Sequence, residues 1–397
     1  MRRILVLILV VFSFHGLSRA EGNDTVAIRQ FAEYGDATAI ENVRPVKNIV
    51  IMIGDGMGFE AITAARIHSF GRGVGLALDR MPVTGQNLSY SLSEDIITDS
   101  AASGTALACG VKTLNGRIAQ DRHAARLKTI LELAGELGKS TGLVATSKVN
   151  HATPASFASH VKSRNNYWEI ARQMSRAPLD VLLGGGYGYF LPGSHPESFR
   201  DDELDLLGEM RSRGASVTMD PGQLGNLDPD RVKALVGLFA RDDLDRTARS
   251  AVNLSEMTGT ALKILSRNPR GFFMMVEGSQ IDWAGHGHDL EYSVGETLEF
   301  DRAVGVVLSF AEKHGETLVI VTADHETGGL SLNKASEKDK TLTAGWTTGS
   351  HTANVVPVFA YGPNAEAFGA VIHNHHIPQL AVQGWGVKNF TGFAYGK

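Results

Sequence analysis

An aspartate and a serine precede a run of small residues, Ala101 to Ala106, and this pattern predicts the start of a helix. Unpaired backbone N–H groups and the positive end of the helix dipole favour negative charge at Ser100. That position therefore suits a bound phosphate or a serine alkoxide. The same dipeptide opens many helices as an ordinary N-cap. Asp99 and Ser100 alone are compatible with a cap or with a nucleophile.

Acidic and imidazole side chains follow three apolar segments that are typical of strands buried in a parallel sheet. The segments and the residues after them are 48–53 with Asp55, 272–276 with Glu277, and 317–322 with Asp324 and His325. Open α/β sheets bind their ligands outside the carboxyl ends of the strands. A single aspartate or histidine at such a place is usually a turn or core residue. Three strand ends together favour one shared site.

Further candidate ligands lie downstream of these strands. Asp282 and His286 are four residues apart, so on a helical turn they share a face and could bind one metal ion. His351 precedes another apolar segment, 355–361. Carboxylate and imidazole ligands without cysteine suit zinc together with a harder ion such as magnesium. The residues alone thus favour a multi-metal hydrolase with a serine nucleophile.

The chain resembles the alkaline phosphatase family, in its bacterial, exported, zinc- and magnesium-dependent type, over nearly its whole length. The motifs that carry the resemblance, in order, are IGDGMG from Ile53, TDSAASGTA from Thr98, GVKTLNG from Gly110, ATPASFASHVKSR from Ala152, LGGG from Leu183, VEGSQIDWAGH from Val276, TADHETGG from Thr322 and GSHTA from Gly349. The resemblance implies hydrolysis of phosphate monoesters to an alcohol and inorganic phosphate through a covalent phosphoserine. It also implies two zinc ions and one magnesium ion.

The same resemblance implies a role for each motif residue. Ser100 is the expected nucleophile, and Arg164 is expected to grip the non-bridging phosphoryl oxygens with its planar fork of donors. The implied metal ligands are Asp282, His286 and His351 for the first zinc, Asp324 and His325 with Ser100 for the second, Thr153 and Glu277 for magnesium, and Asp55 shared between the magnesium and the second zinc.

Two positions near the expected phosphate site depart from the best-studied bacterial pattern. His151 replaces an aspartate, and an imidazole there is expected to favour a transition metal over magnesium. Trp283 replaces a lysine, which removes a cation near bound phosphate and should loosen product binding. Both residues are counted among the substrate-binding candidates.

Alternating strand-like and helix-like segments predict an α/β fold, in which helices cover both faces of a mostly parallel central sheet as a three-layer sandwich. We expect helices over 126–137 and 292–314, and a peripheral helical segment over about 196–245. The short interval between His325 and His351 leaves room for a loop only, so little or no inserted crown subdomain is expected.

The N-terminal sequence predicts export. Residues 1–20 have a basic start, a short apolar core and a small-residue cleavage pattern, which is typical of a signal peptide. We assign 21–46 to an N-terminal arm and 47–397 to one catalytic domain, exported to the periplasm or secreted, with no membrane anchor. The single cysteine, Cys109, allows no intrachain disulfide and is expected to be buried.

The net charge and the motifs bear on the binding partners and leave two alternative functions open. A net charge of −5 implies no nucleic-acid partner beyond possible terminal phosphates. Phosphomonoesters are the expected substrates, and the family resemblance implies a homodimer. A phosphodiesterase or sulfatase of the same superfamily is the alternative enzyme, although the residues after Ser100 lack the Pro and Arg of a sulfatase. A secreted phosphate- or metal-binding protein without turnover is the alternative from another class.

Overall fold

The computed structural model describes residues 25–27 and 35–392. The proposed signal peptide at 1–20 and part of the arm at 21–46 lie outside the described residues. By its internal contacts the chain divides into two units, 1–35 and 36–397. Within the second unit, backbone N–H groups of Ala37 and Ile40 donate to the side chains of Gln379 and Gln383, so its first residues are tied to its C-terminal part.

Strands and helices alternate along the described part of the second unit. The strands are β1 Asn48–Gly54, β2 Val83–Leu88, β3 Ser140–Lys148, β4 Val181–Gly185, β5 Ala215–Thr218, β6 Ala234–Leu238, β7 Phe272–Gly278, β8 Thr317–Thr322, β9 Glu326–Thr327, β10 Ser331–Ser336, β11 Thr341–Gly345, β12 His351–Thr352, β13 Val356–Tyr361 and β14 Val371–His373. The helices are α1 Phe59–Phe70, α2 Ser100–Cys109, α3 Ile130–Glu136, α4 Ala152–Ala158, α5 Tyr167–Met174, α6 Leu206–Ser212, α7 Pro221–Asn226, α8 Leu254–Leu265, α9 Gln280–His286, α10 Leu290–His314 and α11 His376–Ala381.

Ten of these strands form one sheet in the order β14-β2-β13-β8-β1-β7-β3-β4-β6-β5. Only β13 runs antiparallel to its neighbours, β2 and β8. β1 lies between β7 and β8, in register Ile53↔Glu277 and Ile53↔Thr322. The carboxyl ends of these three strands therefore meet at one edge, and the segments that follow them can form a common site.

The central strand β1 supplies apolar side chains to both faces of the sheet. Ile49, Ile51 and Ile53 belong to one buried cluster, which also contains residues of α2, α3, α4 and α11. Val50 and Met52 belong to a second cluster with residues of α1, α8 and α10. Helices thus cover both faces, and the predicted three-layer α/β architecture is confirmed.

Two expectations about local structure need correction. The helix expected over 126–137 begins only at Ile130, because Thr129 forms a capping box with Glu132 and so fixes the first turn. The segment 196–245 is not simply helical, since β5 and β6 extend the central sheet beyond β4. The short apolar run Ala234–Leu238 provides a buried strand inside an otherwise charged segment.

The interval between His325 and His351 is not a loop only, since it contains strand β9 and the antiparallel hairpin β10–β11. β9 pairs with β12, which begins at His351. No larger inserted subdomain occurs there, as the sequence predicts. In the described part of the chain, none of the helices has both the length and the apolar character that crossing a membrane requires.

Candidate active site

Ser100 is the first residue of α2 and is 2 % exposed. The helix begins there because Asp99 is its N-cap, with Oδ1 accepting a hydrogen bond from the N–H of Ala102 at 2.9 Å. The hydroxyl Oγ of Ser100 lies 3.2 Å from Nε2 of His325. The cap and the candidate nucleophile are thus two different residues, and the N-cap interpretation does not compete with the catalytic one.

Small residues allow α2 to lie close to α4, the helix that carries Thr153. A Cβ atom at Gly104 would lie 3.0 Å from Oγ of Ser156 and 3.5 Å from Cα of Thr153. A larger side chain at position 104 would therefore push these helices apart. Cys109, at the far end of α2, is buried as expected.

Arg164 reaches the mouth of the site from the loop after α4. Its Nη1 donates to Oδ2 of Asp99 at 3.1 Å, and its Nη2 lies 3.2 Å from Nε2 of His151. Burial opposes the charged form, but the Asp99 carboxylate, its hydrogen bond and the carboxylate of Asp55 together raise the pKa of the guanidinium. The same Asp99 oxygen accepts from the N–H of Gly116 at 2.9 Å. Asp99 therefore caps α2 and also orients Arg164.

One group of potential metal ligands contains Asp282, His286 and His351. Oδ1 of Asp282 lies 3.4 Å from Nε2 of His286 and 3.5 Å from Nε2 of His351. The Nδ1 atoms of both histidines face backbone carbonyls, those of Gly349 and Thr98, each at 2.8 Å. Because a carbonyl oxygen only accepts, Nδ1 carries the proton and Nε2 is left to bind a metal.

A second group lies around His325, which is completely buried. Its Nε2 is 3.2 Å from Oδ2 of Asp324 and 3.5 Å from Oδ1 of Asp55. Donor atoms of Asp55, Asp282 and His325 all lie within 4.8 Å of one another. The imidazole of His325 stacks on that of His351, with ring centroids 3.5 Å apart, so the first two groups are adjacent.

A third group consists of Asp55, Glu277 and His151. Thr153 is completely buried in the first turn of α4, which follows the N-cap residue His151. The carboxylate Oε2 of Glu277 accepts from the hydroxyl of Ser147 at 3.3 Å. Asp55 is common to the second and third groups.

Burial of these carboxyl groups raises their proton affinity. Desolvation and the nearby carboxylates of Asp324, Asp282 and Glu277 raise the pKa of Asp55 well above its ordinary value. Desolvation likewise raises the pKa of Glu277 and of Asp324, each to about 7. Such a concentration of buried carboxyl groups is stable in ionised form only beside compensating cations.

The donor atoms fit metal ions, and the hydrogen bonds of the protein itself do not satisfy them. Several buried oxygen and nitrogen atoms in the second and third groups have no hydrogen-bond partner within the described residues. They are Oδ1 and Oδ2 of Asp55, Oδ2 of Asp324, Oε1 of Glu277, Oγ1 of Thr153 and Nδ1 of His151. Buried polar atoms are rarely left unsatisfied in folded proteins, so their convergence favours bound cations.

Trp283 and His288 lie at the rim of the site. The indole of Trp283 makes an edge contact with the imidazole of His151, with ring centroids 6.4 Å apart. His288 is exposed and stacks on Trp346, and its Nε2 lies 2.8 Å from the carbonyl of Thr348. It does not belong to any group of clustered donors in the described residues.

The sequence did not single out Thr327 as a member of the site. This buried threonine lies between Asp282 and His325 and contacts both. Its only sequence signal is its place two residues after His325 in the TADHETGG motif. A hydroxyl among candidate ligands looks like an ordinary strand residue until the tertiary contacts are known.

The fold and the clustered donors around a helix-start serine point to a hydrolase of the α/β class with candidate metal ligands. Comparison with known proteins makes this specific. The family model of alkaline phosphatase matches residues 46–341. Alkaline phosphatase 3 of Bacillus subtilis is 35% identical over 85% of this chain and 88% of its own length.

Solved structures agree with the sequence comparison. The alkaline phosphatase of the Antarctic bacterium TAB5 superposes with a TM-score of 0.78 at 34% identity, covering 88% of this chain and 100% of its own. A variant of that enzyme, with a histidine replaced by glutamate, has magnesium bound in its M3 site, and it matches with the same coverage at 33% identity and a TM-score of 0.78. The chain belongs to the alkaline phosphatase family, and its fold and family support hydrolysis of phosphate monoesters.

Proposed function

We propose that this enzyme hydrolyses phosphate monoesters in two displacements through a phosphoserine at Ser100. The observation that carries the proposal is the position of the Ser100 hydroxyl, 3.2 Å from Nε2 of His325 at the start of α2. Oγ attacks phosphorus, the bond to the ester oxygen breaks, and the alcohol departs. Water then attacks the same phosphorus, the bond to Oγ breaks, and inorganic phosphate leaves with the serine restored.

We assign the donor groups to three ions. Asp282, His286 and His351 would hold one zinc, and Asp324 and His325, with Asp55 and Ser100, would hold the second. Asp55, Thr153 and Glu277 would hold magnesium. When bound, such ions stabilise the attacking and leaving oxygens of an in-line displacement and promote ionisation of the oxygen that attacks.

Groups of the protein itself bind the phosphoryl oxygens. Arg164, oriented by Asp99, offers two parallel donors to the non-bridging oxygens of the phosphoryl group. The positive end of the α2 dipole also favours negative charge at Ser100. A phosphomonoester has three non-bridging oxygens, so two can accept from the paired donors of Arg164 while one is left for the metal-binding groups. A phosphodiester has only two non-bridging oxygens, so the arrangement favours monoesters.

The test of this function is metal analysis combined with a comparison of two substrates. The purified protein should contain zinc and magnesium and should hydrolyse an aryl phosphate much faster than the corresponding aryl diester. Faster hydrolysis of the diester would instead support the phosphodiesterase alternative. Binding of zinc and phosphate without turnover would support a binding protein.

We also propose that the enzyme is a homodimer and that it is exported to the periplasm or secreted. The mass of the particle in solution tests the dimer, and fractionation of cells tests export.

Replacement of Arg164 by lysine should lower kcat/KM on the order of 100-fold, because lysine keeps the charge but loses the planar pair of donors. Steady-state kinetics on an aryl phosphate would measure the loss. Arg172, which pairs with Glu169 on α5, offers the matched control, and Arg172→Lys should leave kcat/KM unchanged. Equal effects of the two substitutions would contradict the role assigned to Arg164.

Replacement of Trp283 by lysine should strengthen inhibition by inorganic phosphate, since it adds a cation beside the site where the product leaves. The indole is only partly buried and faces the imidazole of His151, so a longer flexible side chain can be accommodated. The inhibition constant for phosphate measures the effect. An unchanged constant would show that Trp283 does not tune product binding.

His151 bears on the identity of the third ion. Desolvation and the nearby Arg164 lower the pKa of its imidazole to about 3, so the ring is neutral and able to bind a metal. An imidazole next to Asp55 and Glu277 favours a softer ion than magnesium.

A further inference from the structure

Three histidines among the candidate ligands have their Nδ1 atoms fixed by a partner, and one of the three partners is exceptional. For His286 and His351 the partner is a backbone carbonyl. For His325 it is the hydroxyl of Thr327, at 3.2 Å. A carbonyl only accepts, whereas a hydroxyl can accept and donate at once. The Thr327 hydroxyl can therefore accept from His325 and donate to a further group.

The further group is Asp282. The hydroxyl of Thr327 lies 2.5 Å from Oδ1 of Asp282. A carboxylate only accepts, so the hydroxyl hydrogen points to Asp282 and the lone pairs of Oγ1 are available to the Nδ1–H of His325. The hydrogen bonds then run in one direction, from His325 through Thr327 to Asp282. This order leaves Nε2 of His325 without a proton, facing Ser100, Asp55 and Asp324.

Backbone contacts hold Thr327 in place beside Asp282 and His325. In the β9–β12 pair it is the register partner of His351. Its N–H donates to the carbonyl of Gly56 at 3.2 Å. Neither Gly56 nor Gly285 could carry a side chain, since a Cβ atom at either position would lie 2.8–2.9 Å from the Thr327 side chain. Thr327 is 3 % exposed and has no room to turn away.

We propose that Thr327 is a positioning residue that ties the two zinc sites together through one hydroxyl. It orients Asp282, a ligand of the first site, and selects the tautomer of His325, a ligand of the second. This inference rests on the proposed function, because it concerns the same ions. Loss of the hydroxyl should therefore weaken metal binding at both sites, although Thr327 itself is not a ligand.

The experiment compares Thr327→Val, which keeps the shape and removes the hydroxyl, with Thr327→Ser, which keeps the hydroxyl. Zinc affinity is measured by competition with a chromophoric chelator. We expect the valine variant to lose affinity about 10- to 100-fold and the serine variant to stay near wild type. The matched control is Thr258→Val in α8, a buried threonine whose Oγ1 has no partner within the described residues and which should bind zinc normally.

Circular dichroism of the metal-free proteins shows whether each variant folds, and Thr327→Ala replaces the valine variant if that one does not. Zinc affinity of the valine or alanine variant equal to that of wild type would overturn the proposal. An equal loss in the serine variant would also overturn it, since the hydroxyl would then not be the cause. Failure of the wild-type protein to bind zinc would instead contradict the proposed function.

Discussion

Ser100→Ala should lose at least about 10³-fold in kcat on an aryl phosphate and should form no phosphoenzyme. The methyl group cannot attack phosphorus, so direct attack by water is the only path left to the site. Arg164 and the donor groups are unchanged by the substitution, and for this reason KM should change much less than kcat. Stopping the wild-type reaction in acid with radiolabelled substrate traps the intermediate, and the variant should yield none.

A serine outside the site provides the control for this substitution. Ser159 is buried at the end of α4 and donates only to the carbonyl of Ala155, so Ser159→Ala removes a comparable hydroxyl without touching the site. It should retain wild-type turnover. Near-normal kcat in Ser100→Ala, or trapping of labelled phosphate on that variant, would show that another residue is the nucleophile.

The strands that carry the site could be predicted from local sequence because each is a continuous apolar run with a polar residue at its end. β1, β7 and β8 begin and end within a few residues of the expected positions. Parallel pairing then forces Asp55, Glu277 and Asp324 to one edge of the sheet. The i, i+4 spacing of Asp282 and His286 predicts a shared face, and α9 provides it.

Features that depend on tertiary contacts were harder to predict. The strand β6 lies in a charged segment, and only its pairing with β4 reveals it as part of the sheet. The start of α3 depends on a capping box, in which Thr129 and Glu132 outweigh the apolar periodicity of the preceding residues. The contact of Thr327 with Asp282 links residues 45 positions apart, and no local pattern encodes it.

Asp99 illustrates how one residue can satisfy a structural and a functional interpretation together. Its two carboxylate oxygens have different partners, the N–H of Ala102 for one and Arg164 with the N–H of Gly116 for the other. The cap fixes where α2 begins, and this determines the direction of the Ser100 hydroxyl. Local helix capping and the orientation of Arg164 are therefore inseparable at this residue.

Removal of metal ions should abolish activity and should also destabilise the protein, by an amount that grows as the pH rises from 6 to 9. In the metal-free protein, burial raises the pKa of Glu277 and of Asp324 to about 7. A hydrogen bond to Asp282 raises the pKa of His286 to about 9. All three groups bind protons more tightly in the folded than in the unfolded chain.

The sign of the pH dependence follows from these shifts. Protons on the three groups favour the metal-free folded state, and this contribution is lost as the pH rises through about 7 for the two carboxyls and about 9 for His286. Metal ions displace the same protons, so each displaced proton strengthens metal binding by about 1.4 kcal/mol per pH unit. A group whose pKa is the same in the metal-loaded and the metal-free protein adds nothing to the difference in stability between the two.

Thermal unfolding of the metal-loaded and chelator-treated protein, measured at several pH values, tests this expectation. The difference in Tm should widen from pH 6 to pH 9, because the ions stabilise only the folded state. Glu277→Gln removes one of the displaced protons and should make the widening shallower. Glu296 is a carboxyl outside the site whose pKa burial also raises, so Glu296→Gln should leave the widening unchanged. A Tm difference that stays constant or narrows with rising pH would mean that the ions do not displace protons from these ligands, and the buried carboxyls would then need another source of compensation.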